Sequence, residues 1–178
     1  YNANGGNSSS VPASQTMTYT QATTVSSTVP TKNSDTTTYT VSYNANGHGT
    51  APSSGSATKT ITYAFNKWNT ASNGSGTAYA SGAQYKAANV VPSDATLYAQ
   101  WSSSSSTTSV TLGSISATGY TFNGWYTAAS GGTKVGNAGA SYTPTGNITL
   151  YAQWTEKTAT LSYNANGGNS SSVPASQT

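Results

Sequence analysis

The chain has 178 residues, of which 5% are charged, and a net charge of +3 from six lysines against three acidic residues, with no arginine. The lysines stand singly, unlike the clustered basic stripe of a nucleic-acid interface, and the absence of cysteine excludes disulfides and thiolate metal sites. No apolar run approaches the ~20 residues of a membrane-spanning helix, whereas aromatics at 11% are too abundant for an ordinary disordered chain.

Residues 1–16 read YNANGGNSSSVPASQT, and residues 163–178 repeat them without a mismatch. Identity at a fixed offset is the mark of a repeat array. The lack of a starting methionine and of a leader adds the expectation of an internal piece of a longer protein. An opening motif recurs as VSYNANG at 41–47 and LSYNANG at 161–167. A middle motif is YAFNKW at 63–68 and YTFNGW at 120–125, and a closing motif, LYAQW, stands at 97–101 and 150–154.

The apolar period is two. It sets Ile148, Leu150, Ala152 and Trp154 on one face, and Leu97, Ala99 and Trp101 likewise. Val41, Tyr43 and Ala45 alternate in the same way, as do Tyr63 with Phe65 and Tyr120 with Phe122. Asn-Gly at 4–5, 46–47 and 166–167 marks turns. The fold class is therefore all-β or β-dominated, and the one weak helical candidate is 81–90. The core aromatics are expected to be Tyr43, Tyr63, Phe65, Trp68, Trp101, Tyr120, Phe122, Trp125, Trp154 and Tyr163. Tyr43, Tyr63, Phe65, Leu97 and Trp101 would share one core, and Tyr120, Phe122, Leu150 and Trp154 a second.

Residues 38–101 parse as a complete unit and 109–154 as a second unit without its opening strand. Residues 1–37 form an opening half, and 155–178 begin the next copy. The serines at 102–106, within 102–108, read as a linker, as does 31–38. A serial arrangement has incomplete pieces borrowing strands from neighbours, and a nested one inserts 38–101 between 1–37 and the last unit. The serial one is favoured, because 22–29 and 109–116 each supply a second strand that nesting would duplicate.

The combination of SYNANGG, GYTFNGWYTAASGG and ITLYAQW resembles the Listeria–Bacteroides repeat, or internalin B-repeat, over most of the chain. The resemblance implies small β-grasp-like modules in tandem in a secreted, wall-associated region of a bacterial surface protein.

No catalytic constellation emerges, and no metal or cofactor site. His48 reads as an exposed turn residue, and Asp35, Asp94 and Glu156 lie far apart in sequence. A Lys67–Asn66 crosslink assisted by Asp94 is the sharpest covalent idea, against the simpler reading of an exposed edge lysine. The expected role is a non-enzymatic stalk or fibre. Two alternatives are a multivalent glycan-binding or host-adhesive module, with Tyr98 and Tyr151 as candidate sugar-stacking faces, and a self-assembling filament subunit. Expected partners are neighbouring copies or identical chains, and cell-surface glycans or proteins.

Overall fold

The computed structural model describes residues 1–177. The strands in chain order are β1 (Thr23–Thr24), β2 (Asp35–Asn44), β3 (Gly55–Asn69), β4 (Ala78–Tyr79), β5 (Gln84–Lys86), β6 (Tyr98–Thr107), β7 (Val110–Thr111), β8 (Tyr120–Tyr126), β9 (Lys134–Gly136), β10 (Ser141–Tyr142) and β11 (Ile148–Glu156). Helix among the described residues is confined to two 3-10 turns, Ser8–Ser10 and Ser170–Ser172. The fold is β-dominated, as the period-two pattern predicts. Each opening motif turns through an asparagine in the left-handed region, Asn4, Asn46 and Asn166, followed by a glycine at positive φ.

The chain forms two compact units, each discontinuous in sequence. Unit one is Tyr1–Thr37 with Thr58–Thr107, and unit two is Thr38–Ala57 with Thr108–Thr178. These boundaries coincide with neither the serial nor the nested segments, and strand pairing gives the reason. In unit two, β2 runs parallel to β11, with Val41 opposite Ile148 and Asn44 opposite Tyr151. In unit one, Asn2 makes the equivalent parallel bridge to Tyr98. The opening motif at 41–47 therefore joins the closing motif at 150–154, and the one at the chain start joins 97–101. Alternating apolar residues reveal which face is buried but not which strand lies alongside.

Two expected linkers are strand. The serines at 102–106 extend β6 antiparallel to β3, from Ala64↔Ser102 to Thr60↔Ser106. Their side chains are exposed, so the ladder and hydroxyl pairs such as Thr62–Ser104, at 2.8 Å, hold them without a core. The stretch 31–38 likewise runs into β2 at Asp35. The helical candidate 81–90 contains β5 instead, which pairs with β1.

Each unit has its own core. In unit one, Val25, Trp68, Leu97 and Ala99 are buried, with Tyr1, Val11, Phe65, Tyr79, Tyr85 and Trp101 packed around them. In unit two, Val41, Leu112, Trp125, Leu150 and Ala152 are among the buried residues, and Tyr43, Phe122 and Trp154 pack against them. Tyr43 thus lies with Trp125, at 4.6 Å between centroids, and not with Phe65. Tyr1 takes the corresponding place on Trp68, at 4.9 Å.

A bulge makes each core possible. Strict alternation puts residues three apart on opposite faces. The β3–β6 register slips between Phe65 and Lys67, and the β11–β8 register slips between Gln153 and Trp154, opposite Gly124 and Phe122. The extra residues are Asn66 and Asn123. Each slip turns the following strand over, so Phe65 reaches Trp68 at 5.2 Å and Phe122 reaches Trp125 at 5.3 Å.

Candidate functional site: a cradle for the opening segment

The same cradle is built once in each unit. Its floor is the closing strand. In unit one, Asn2 N donates to Leu97 O at 2.8 Å, and Ala99 N donates to Asn2 O at 2.9 Å. The Trp101 indole N–H donates to Ala3 O at 3.0 Å, and in unit two Trp154 does the same to Ala45 O at 2.9 Å. The tyrosine that leads each opening motif is locked by its hydroxyl. Tyr1 Oη accepts from Ser26 N at 2.8 Å, and Tyr43 Oη accepts from Gly113 N at 3.2 Å.

The recurring amides hold the loop that follows the middle motif. Gln100 Nε2 donates to Ser72 O at 3.3 Å, and Gln153 Nε2 donates to Ala128 O and Gly131 O at 3.1 and 2.7 Å. Asn4 Nδ2 bridges Ser72 O and Ala99 O, at 2.8 and 2.9 Å, while Asn46 Nδ2 reaches Ala129 O at 2.7 Å. The NANG and LYAQW motifs are thus two halves of one clamp on a polar loop. That accounts for their recurrence together.

Asn69 closes the loop in unit one and carried no signal in the sequence. It is fully buried. Its Oδ1 accepts from Ala71 N and Gly76 N, and its Nδ2 donates to Gly74 O and Gly76 O. Asn69→Ala strands these groups and is expected to destabilise unit one by about 2–3 kcal/mol, measurable as a lower urea midpoint at unchanged slope.

The remaining sequence candidates fall in varied places. Trp68 and Trp125 are fully buried, and Trp101 and Trp154 are half-buried. Trp125 Nε1 donates to Gly113 O at 2.8 Å, whereas the equivalent Trp68 Nε1 is buried without a protein partner. Tyr63 sits outside the core. Its hydroxyl donates to Asp35 Oδ2 at 2.6 Å and its ring lies 3.9 Å beneath Lys32 Nζ. The hydrogen bond to Asp35, aided by burial and by the carboxylate charge, raises the phenol above its ordinary value. Tyr120 stacks on His48 at 3.9 Å, so His48 is a half-buried ring partner and not the exposed turn residue expected. Tyr163 is 43% exposed and belongs to neither core. Tyr98 and Tyr151 are half-buried, and Tyr151 lies opposite Tyr126 in the β11–β8 register.

The buried lysine is Lys86, not Lys67. Its ammonium donates to Gln21 O, Ala87 O and Val90 O at 2.9–3.2 Å, all three backbone carbonyls, and so ties 21 to 86–90. Asp94 is exposed. Among the described residues no group of three or more His, Asp or Glu side chains is placed to hold a metal ion, and no helix is long and apolar enough to cross a membrane. Unit one holds a cavity of about 90 Å³ lined by Tyr1, Met17, Val25, Tyr85 and Leu97, among others. Tyr1, Ser14 and Gln15 of the opening segment form part of its wall.

The profile of the Listeria-Bacteroides repeat domain matches residues 39–100 and again residues 102–153. The chain belongs to the Listeria-Bacteroides repeat family. A curated relative, Internalin H of Listeria monocytogenes serovar 1/2a (strain ATCC BAA-679 / EGD-e), is 60% identical over 38 residues. That match spans 21% of this chain and 7% of Internalin H. No solved structure matches the chain. The two profile matches run in series along the sequence, whereas the compact units of this Listeria-Bacteroides repeat protein draw their opening strands from the segment preceding each match.

Proposed function

We propose that this chain is a structural segment of an extracellular bacterial surface protein, a non-enzymatic stalk or fibre built from tandem copies, with neighbouring copies as its principal partners. One observation supports this above others. The side chains that recur between units, the tryptophans, the NANG asparagine and the closing-motif glutamine, are all engaged in packing or in clamping a loop. What the repeats preserve is a way of building a unit. The placement at the cell surface rests on the family and on the likeness to Internalin H.

Parallel pairing suits such a role. A pull on the N-terminal side of β2 and the C-terminal side of β11 slides the two strands along each other. It therefore loads their hydrogen bonds together instead of one at a time.

A second reading, adhesion to glycans, draws on Tyr151. Its register partner Tyr126 gives unit two two neighbouring aromatic side chains, where unit one has Tyr98 opposite Asn69. The two readings part on copy number. On an inert carrier, one, two and four periods should extend the reach of the tip in proportion to length while glycan-array binding stays at background. Binding that climbs steeply with copy number, and falls with Tyr151→Ala, would replace the stalk with an avidity-based adhesin.

A further inference from the structure

The chain carries a second copy of the strand that fills the cradle of unit one, and this copy is unseated. Residues 163–177 repeat 1–15 residue for residue. Tyr1 packs on Trp68, but Tyr163 and Leu161 are 43% and 57% exposed. The backbone bonds of the second copy, including the Leu161–Gln177 pair, close within the segment itself.

The second copy already holds the seated shape. Asn166 N donates to Asn164 Oδ1 at 2.8 Å, as Asn4 N does to Asn2 Oδ1. Gly168 N bonds Ala165 O at 2.9 Å, as Gly6 N bonds Ala3 O at 3.0 Å. Asn166 and Gly167 have φ of 46° and 90°, against 49° and 86° for Asn4 and Gly5. Ser172 Oγ returns to Asn169 O as Ser10 Oγ does to Asn7 O. A segment ordered in its bound form gives up little entropy on docking.

We propose that residues 163–177 can take the place of residues 1–15 in the unit-one cradle of a second copy of this chain, laying Asn164 against Leu97 and Ala99 and Tyr163 against Trp68. A contact from the 163–177 segment of one copy to the cradle of another is heterologous, so it links copies head to tail into larger assemblies. The sixth position of the motif sets which segment fits. A Cβ at Gly6 would collide with Trp101 Cζ2 and come 2.8 Å from Thr31 O. Gly168 meets that requirement, while the 41–48 segment, with His48 at this position, does not. The proposal deepens the structural reading of the chain and rests on it. Its test is assembly in solution, separate from reach or adhesion on a carrier.

In the intact chain residues 1–16 hold the cradle, so the test unseats them. Gly6→His in the full chain is expected to convert a monomer into a concentration-dependent series of dimers and longer chains in sedimentation velocity. G6H/G168H is expected to return it to monomer. The synthetic peptide YNANGGNSSSVPASQT should bind G6H/G168H one to one, and in excess it should dissociate the G6H chains. Should Gly6→His lose its strand signal in circular dichroism, Asn4→Ala with and without Asn166→Ala replaces it, because Asn4 gives up two bonds without a clash. A G6H chain that stays monomeric while the peptide binds G6H/G168H overturns the proposal, as does equal assembly of G6H and G6H/G168H. Failure of the peptide to bind a folded G6H/G168H chain overturns it too.

Discussion

Trp125→Ala is expected to destabilise unit two by about 3–5 kcal/mol, the range for emptying a fully buried tryptophan site. The indole is completely enclosed, touches Tyr43 and Phe122, and anchors the 110–113 segment through Gly113 O. Urea unfolding followed by circular dichroism would show an early transition, because small domains carry only about 5–15 kcal/mol in total. Phenylalanine separates the two parts of the loss. Trp125→Phe keeps much of the apolar contact but leaves Gly113 O without its donor. Trp68→Phe removes an N–H that has no protein partner. Trp125→Phe should therefore cost about 1 kcal/mol more than Trp68→Phe. Equal costs would mean that the Gly113 bond contributes nothing.

The second large effect contrasts two copies of one sequence. Deleting residues 1–16 removes Tyr1 and Ala3 from a packed site, together with the strand bonds to Leu97 and Ala99. The expected loss for unit one is about 4 kcal/mol, combining apolar burial with several hydrogen bonds of about 1 kcal/mol each. Deleting residues 163–178 should shift the transition by less than about 0.5 kcal/mol, the ordinary effect of changing exposed surface. Differential scanning calorimetry of the two truncations checks both. Equal effects would contradict the assignment of the first copy as seated and the second as free.

How much of this is legible in the sequence varies from residue to residue. Alternation in 148–154 marks Leu150 and Ala152 as core because a strand with one buried face has no other way to write itself. Asn-Gly at 4–5 and 46–47 announces the turns because positive φ is cheap there. Other features leave no mark of this kind. The bulges at Asn66 and Asn123 are a slip of one strand against another, visible only with both strands in place. The serines at 102–106 have linker composition, and only β3 beside them makes them a strand. The partner of each opening motif is the largest omission. YNANG looks the same at 1–5 and 43–47, and nothing local says which LYAQW it will meet. The cradle was within reach of sequence reasoning to one extent. Asn and Gln recurring beside buried aromatics signals satisfied backbone groups as readily as it signals sugar hydroxyls.

The interleaved pairing is tested most directly by disulfide trapping, and the chain offers a clean background because it contains no cysteine. Residues opposite each other in a sheet lie within the span a disulfide can close. Asn2→Cys with Tyr98→Cys, and Asn44→Cys with Tyr151→Cys, should each oxidise to completion under mild conditions, read as loss of free thiol by mass spectrometry. Both pairs staying reduced, while Asn44→Cys with Tyr98→Cys closes, would contradict the interleaved units and restore an opening motif paired within its own sequence repeat.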